Sequence, residues 1–390
     1  MSDGWEATTL GEVADLIVGR TPPRKDERYW TVDLERPFCT IADMGAIDVL
    51  PEREGVTEAA EIEGKAKRVP AGSLLMSFKL TIGRVGFAAV DLFPNEAIVW
   101  IKPREGVPVV DRYLALWLSH LDLTESAGQA VKGQTLNGPS LRAIPVDLPS
   151  LLVQRRVVDL VDAVDTYAAA AAARAEAARG ARSALLDREL SGDGDGWTET
   201  TLGEAATLIM GQSPPGSSYN DRGEGLPFLQ GSAEFGSRHP APVKWCSDPR
   251  RVAQPGDVLV SVRAPVGDLN VADIETAIGR GLAIIRGGAD ALTDFLMLAV
   301  EAGLDELLSR SGSGMFTSIT KDGLASLPLA LPPLAVQRRV VDLVKAAEDE
   351  AVQATRTAEA AGSLRSALLS ELLSGEREVP GSYDDLVGVA

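Results

Sequence analysis

The sequence predicts an α+β molecule built twice: two globular parts, each leading into a long helix, with the two helices packed on each other. Three observations carry this reading. The string Trp5-Glu6-Ala7-Thr8-Thr9-Leu10-Gly11-Glu12 returns as Trp197-Thr198-Glu199-Thr200-Thr201-Leu202-Gly203-Glu204, an offset of 192 residues. A second string, Val153-Gln154-Arg155-Arg156-Val157-Val158-Asp159-Leu160-Val161, returns identically at Val336 to Val344, an offset of 183. After each second string the chain is Ala-rich and keeps a seam at alternating steps of four and three, the spacing of a coiled coil.

In chain order, the apolar runs Leu74 to Phe78, Gly86 to Val90 and Ala97 to Ile101 are bounded by turn residues and are read as strands. Tyr113, Leu114, Leu116, Trp117, Leu118 and Leu121 place a buried helix between Asp111 and Leu123. After Leu148-Pro149 a helix is expected to reach about Leu190. Its seam is expected at Val153, Val157, Leu160, Val164, Tyr167, Ala171, Arg174, Ala178, Ala181 and Leu185. Ser191 to Gly196 alternates Asp with small residues but lacks the later ligands of a calcium loop, so it reads as a flexible linker. The second part repeats the plan with strands at Asp257 to Val262 and Ala283 to Ile285 and a helix around Phe295 to Leu308. The second long helix follows Leu331-Pro332, its seam at Val336, Val340, Leu343, Ala347, Glu350, Ala354, Thr357, Ala361, Leu364 and Leu368. At about 1.5 Å per residue, a helix of about forty residues spans roughly 60 Å and would hold the globular parts a fixed distance apart. The boundaries are 1–147 and 194–330 for the globular parts, 148–193 and 331–375 for the helices with the linker, and 376–390 for a loose tail.

Composition narrows the function. The 390 residues, 45% of them hydrophobic, suffice for two ordinary cores. The first residues lack a basic and apolar leader, and no apolar run has the length of a membrane span, so a cytoplasmic protein is expected. Cys39 and Cys246 stand far apart without neighbouring His pairs, which favours buried free thiols over a disulfide or a zinc site. The net charge of −18 argues against nucleic acid, where excess Lys and Arg is the norm. That acid is spread, with 16 basic against 22 acidic residues over 1–147 and 10 against 17 over 194–330, so basic loops still stand out locally. Catalytic chemistry finds little support. Thr21-Pro22-Pro23-Arg24 and Ser213-Pro214-Pro215-Gly216 approach the Pro-Pro-aromatic motif of amino-methyltransferases but lack the aromatic that would stack on a flipped base. No dinucleotide or phosphate-loop fingerprint occurs, and His120 and His239 have no evident nucleophile partner.

Paired domains opening with Trp-x-x-x-Thr-Leu-Gly-Glu, each leading into Leu-Pro-(Ser/Pro)-Leu-x-Val-Gln-Arg-Arg-Val-Val, resemble the specificity (S) subunit of type I restriction-modification systems over about residues 4 to 375. The family usually has Glu before the Gln of the helix-start motif, where this chain has Val153 and Val336. The resemblance implies two target-recognition domains, each reading one half of a bipartite double-stranded DNA in the major groove. It also implies that the two helices form an antiparallel coiled coil, which sets the half-site spacing and docks two methyltransferase (M) subunits. S-adenosylmethionine and adenine-N6 methylation then belong to those partners, cleavage belongs to motor-nuclease (R) subunits, and this chain is non-catalytic with no cofactor or metal of its own.

On that basis DNA contacts are expected in three loops present in both parts. Arg20, Thr21, Arg24 and Lys25 form the first, matched by Gln212, Ser213, Ser217 and Tyr219. Lys79, Thr81 and Arg84 form the second, matched by Arg263. Lys132, Gln134, Thr135 and Asn137 form the third, matched by Ser313, Phe316 and Thr317. Glycines beside these polar residues let backbone approach phosphate, and amide or guanidinium side chains suit base edges. The bland alternatives are strand-linking turns and solvated strand ends. Gln154, Arg155, Arg156, Gln337, Arg338 and Arg339, identical where the globular parts diverge, are expected to pack on a methyltransferase subunit or the opposing domain. Two rival functions remain: an acidic coiled-coil adaptor or DNA mimic, which the charge suits, and a self-sufficient methyltransferase or nuclease.

Overall fold

The repeated Thr-Leu-Gly-Glu string folds as a helix start that closes on itself. The Thr9 amide donates to the Glu12 carboxylate at 3.0 Å and the Thr201 amide to Glu204 at 3.2 Å, each completing a capping box over a single helical turn, Leu10–Val13 and Leu202–Ala205. The glycine between them is required by packing. A Cβ on Gly11 would stand 2.7 Å from Arg142 Cβ, and one on Gly203 2.8 Å from Ala325 Cβ. The most recognisable motif of the chain is therefore architectural.

This computed structural model describes residues 5–123, 136–190, 196–310, 318–380 and 383. Four residues of the expected linker, Ser191 to Gly194, together with Asp195 and most of the expected C-terminal tail lie outside them. The chain divides into two compact units, Met1–Ala170 with Thr357–Ala390, and Ala171–Arg356. Each long helix thus gives one part to each unit.

In the first unit the strand Glu6–Thr9 pairs antiparallel with Pro145–Leu148. The central sheet runs Ala14–Val18, Ile98–Pro103, Leu74–Ser77, Val85–Ala88 and the short Asp48–Val49, antiparallel except for the last pair. The helix Asp111–His120 packs on one face, with Tyr113, Leu114 and Leu118 fully buried in a core shared with Leu74, Met76, Val99 and Ile101. Each such side chain removed from water contributes about 1.5–3 kcal/mol.

The second unit repeats the design. Thr198–Thr201 pairs with Pro328–Leu331, and Ala206–Met210, Leu282–Gly287, Val258–Ser261 and Leu269–Val271 form the central sheet under the helix Thr293–Arg310. The units differ in the segment after the first sheet strand. The first unit carries two small two-stranded sheets there, the second a five-stranded one that includes Tyr219–Asn220, Trp245–Cys246 and Leu226–Leu229. Both cysteines are buried and free, and burial pushes the Cys39 thiol up to about 12, with Asp43 adding to it.

The long helices are Leu151–Glu189 and Leu334–Leu373. Within the first unit Val157 and Val161 pack with Leu369, Leu372 and Leu373; within the second Leu186 packs with Val340, Val341 and Val344. In each unit the start of one helix meets the end of the other, so the pairing is antiparallel. Equivalent ion pairs mark it: Arg365 to Asp165 at 2.5 Å in the first unit, Arg182 to Glu348 at 2.7 Å in the second.

The expected seam is corrected in part. Val161, Ala175 and Leu186 are buried where Leu160, Arg174 and Leu185 were expected, while Tyr167 is 61% exposed. In the second helix Val344, Ala351 and Leu369 replace Leu343, Glu350 and Leu368, and Leu364 is exposed. The first buried step, Val157 to Val161, spans four residues instead of three, and Gln154 and Gln337 occupy the preceding inward positions. The expected positions Val157, Ala171, Ala178, Val340, Ala354 and Ala361 are buried, and Val153 and Val336 are partly buried against the cores. Arg174 therefore does not interrupt the seam; it is exposed and ion-paired with Glu350.

Candidate nucleic-acid interface

The loops that recur along the sequence meet at one end of the central sheet in each unit. In the first loop, Gly19 N donates to Ile98 O at 3.0 Å and Arg20 N to Pro94 O at 2.9 Å. Their counterparts are Gly211 N to Leu282 O at 2.9 Å and Gln212 N to Ile278 O at 3.2 Å. A Cβ at Gly19 would fall 2.2 Å from Pro94 O, and one at Gly211 2.1 Å from Gly279 O, so glycine alone permits this passage. The second loop is pinned beside it by Phe78 N to Ala97 O at 3.0 Å and Val262 N to Gly281 O at 2.8 Å. The described end of the third loop lies against the second through Leu136 N to Phe78 O and Ile319 N to Val262 O, at 3.0 and 2.9 Å.

The second loop carries a repeated internal brace. Ser77, fully buried, donates its hydroxyl to Thr81 O at 2.5 Å and accepts from Arg84 N at 3.1 Å. Ser261 does the same with Pro265 O at 2.8 Å and Asp268 N at 2.9 Å. Backbone bonds Gly83 N to Ser77 O and Gly267 N to Ser261 O close both loops. The brace fixes the backbone and leaves the tip residues free to differ. Leu80, at φ 65° and 76% exposed, tops the first loop, and Ala264 the second. An exposed leucine at positive φ is a strained arrangement of the kind found at binding loops.

Of the expected contact residues, Lys25, Thr81, Gln212, Ser217 and Arg263 are exposed with no side-chain bond among the described residues. Arg20 is exposed and reaches Gly64 O at 2.8 Å, Arg84 is exposed and reaches Ile41 O at 3.1 Å, and Lys79 is half-buried with Nζ 5.2 Å from the Phe78 ring. Thr21 donates to Glu96. Lys132, Gln134, Thr135, Ser313, Phe316 and Thr317 lie outside the described residues.

Four expected contact residues make contacts or are buried within the protein. Arg24 is exposed; its Nη1 alone donates to both Glu54 carboxylate oxygens at 2.7 and 2.8 Å, and its guanidinium lies 3.8 Å over the Trp30 ring. Tyr219 donates to Pro214 O at 2.9 Å and stacks on Phe228 at 4.7 Å, a packing role. Ser213 turns its hydroxyl inward, where it is buried. Asn137 is exposed and caps the helix Gly138–Arg142 by accepting from Ser140 N at 2.9 Å, as Thr320 caps Lys321–Ala325.

The helix-start residues divide. Gln154 is fully buried: its amide accepts from Val110 N at 2.8 Å and donates to Pro108 O and Pro149 O, both at 2.9 Å. Gln337 repeats this with Leu292 N, Asp290 O and Pro332 O, each at 2.8 Å. Both glutamines latch the long helix to the globular part of their own unit, which removes them from a docking surface. Arg155 and Arg338 are exposed, Arg156 is half-buried, and Arg339 pairs with Glu189 at 3.0 Å.

The sequence reading missed Glu96 and Arg280, which occupy the same place in the two units, an offset of 184 that also relates Lys79 to Arg263. Burial works against the Glu96 charge, but the Thr21 hydroxyl, its own backbone and the Lys79 and Arg24 cations hold its carboxyl below the usual range. Arg280 is exposed and lines an open cleft of about 450 Å³ with Gln230, Ser232, Arg263 and Asp268. Applying the loop-two offset to the following strand would have found both. Among the described residues no group of three or more His, Cys, Asp or Glu side chains is arranged to hold a metal ion, and no helix is long and apolar enough to cross a membrane.

A family model described as type I restriction modification DNA specificity domain matches residues 2–176 and again 194–360. A chain of Methanocaldococcus jannaschii, named for the specificity subunit of the type I restriction enzyme MjaX, is 28% identical over 97% of this chain and 94% of its own length. The HsdS subunit of Thermoanaerobacter tengcongensis superposes with a TM-score of 0.55 at 28% identity, covering 97% of this chain and 98% of that one. A chain from a structural study of complex assembly and conformational transition in a type I restriction-modification system superposes with a TM-score of 0.62 at 27% identity, covering 96% and 98%. Two matches of one DNA-specificity model, fitting a chain folded twice on one plan, leave a single assignment: this protein belongs to the type I restriction-modification DNA specificity family.

Proposed function

We propose that this type I specificity subunit reads a bipartite double-stranded DNA target, one half with the loop cluster of each unit, while two methyltransferase subunits dock on it and methylate adenine N6. The observation that supports it best is the repeated loop scaffold. Three loops distant in sequence are tied together by equivalent backbone bonds in both units, while the side chains at their tips differ. Constant backbone with variable side chains is what two readers of different sequences require. Docking falls to surfaces outside the loop clusters, with Arg155 beside the exposed Leu151 and Leu152 as one such patch. S-adenosylmethionine sits in the partners, this chain contributes no transfer chemistry, and motor-nuclease subunits joining the same assembly add cleavage in the cytoplasm. The partners also offset the −18 charge that weakens DNA binding by this chain alone.

Selection from a random duplex library tests this, with the methyltransferase partner present and absent. The proposal expects a gapped two-part motif with the partner. Tight partner binding without any enriched motif would refute DNA reading, and methyl transfer by the purified chain would refute the division of labour.

A further inference from the structure

Residues 96 and 280 lie next to a pinned carbonyl at the centre of each loop cluster. Ala97 O and Gly281 O, one residue on, accept from the backbone of the second loop at 3.0 and 2.8 Å, which fixes the chain position of both side chains relative to Lys79 and Arg263. The chemistry at this shared position is inverted. Glu96 offers only acceptors and is ionised; Arg280 offers only donors.

In the second unit Arg263 and Arg280 open into the same cleft, and neither makes an ion pair or side-chain hydrogen bond among the described residues. Among the described residues lining that cleft the one carboxylate, Asp268, already accepts from Ser232 Oγ at 2.6 Å. The Arg280 fork is thus presented unspent on a braced scaffold. In the first unit Glu96 is oriented by the Thr21 hydroxyl and flanked by Lys79, a cation suited to an adjacent phosphate.

We propose that Glu96 and Arg280 are matched base-reading positions of opposite polarity, Arg280 taking the two major-groove acceptors of a guanine and Glu96 the exocyclic amino group of a cytosine. This rests on the DNA-reading role proposed above. It explains how one scaffold, used twice, avoids specifying the same half-site twice. Guanine presents O6 and N7 side by side, matching a guanidinium fork, whereas cytosine presents a lone N4 donor that only an acceptor satisfies.

The test is motif selection with the complex of this chain and its methyltransferase partner, comparing wild type with R280Q, R280K and E96Q. The wild-type complex shows whether a gapped motif exists at all. R280Q is expected to lose discrimination of guanine at one position of one half-site by about ten-fold or more, with the other half-site unchanged. E96Q is expected to relax one cytosine position in the opposite half-site. R280K keeps the charge but not the fork, so it should hold general affinity while discrimination falls. Equal weakening on every duplex with the motif intact, restored by R280K, would make Arg280 a phosphate contact and overturn the inference while leaving the DNA-reading role standing. A wild-type complex that enriches no motif would overturn both.

Discussion

Replacing Gln154 with Leu isolates the junction between the first globular part and its long helix. The substitution nearly preserves volume, so it removes hydrogen bonds without leaving a large cavity. Three backbone groups lose their partner: Val110 N, Pro108 O and Pro149 O, all bonded at 2.8–2.9 Å to a side chain with no solvent exposure. At about 1 kcal/mol for each buried group left unsatisfied, the unit should lose about 3 kcal/mol. With a urea dependence near 2–3 kcal/mol per molar, the unfolding midpoint should fall by about 1–1.5 M. Trp117 is a built-in reporter, since its indole is 7% exposed and bonded to Pro145 O in the same core. Equilibrium urea titration followed by tryptophan emission measures the shift, and Q337L should show a comparable loss in the second unit. A change below about 0.5 kcal/mol in both variants would show that the amides are not latches and that their identity in the two repeats serves something else.

Removing the loop brace with S261A should unpair Asp268 N and Pro265 O, lower the melting temperature by only a few degrees, and degrade discrimination in one half-site; an unchanged motif would dissociate the brace from reading. A charge-inverted pair predicts strict matching of each domain helix to its own long helix. Arg112 pairs with Asp162 at 2.6 Å in the first unit, and Asp294 with Lys345 at 2.6 Å at the equivalent place in the second. R112D alone should destabilise, and R112D/D162K should recover it with a coupling of about 0.5–1 kcal/mol in a double-mutant cycle, whereas strict additivity would mean that the pair is incidental. Cys39, its thiol pushed up to about 12 by burial, should resist alkylation at pH 8 in the native protein and react after unfolding; mass spectrometry distinguishes the two.

The duplication, the two long helices and the main sheet strands were legible because each has a direct sequence signature: exact recurrence, apolar steps of three and four, and short apolar runs between turns. The coiled-coil register was legible only in part, at Val157, Ala171, Ala178, Val340, Ala354 and Ala361. Val153 and Val336 are apolar and begin the pattern plausibly, yet buried glutamines take the inward positions, because three backbone groups at the junction need partners more than the seam needs another valine. The convergence of the three loops was hinted at by recurrence, but which side chains face outward was not. Arg24, Tyr219 and Asn137 look like DNA-contact residues by type and position. Each bonds to or stacks on neighbours that residue type alone does not reveal: Glu54 and Trp30, Phe228 and Pro214, and the amide of Ser140. Glu96 and Arg280 went unnoticed because opposite charges do not look like a repeat, although the offset of 184 relates them.

The central claim is that each unit reads its own half of the target independently. Exchanging residues 1–147 for the corresponding part of another specificity subunit, and mapping the methylated sequence of the reassembled complex, tests it most directly. One half of the gapped motif should change to that of the donor, with the other half retained base for base. A change in both halves would contradict independent reading.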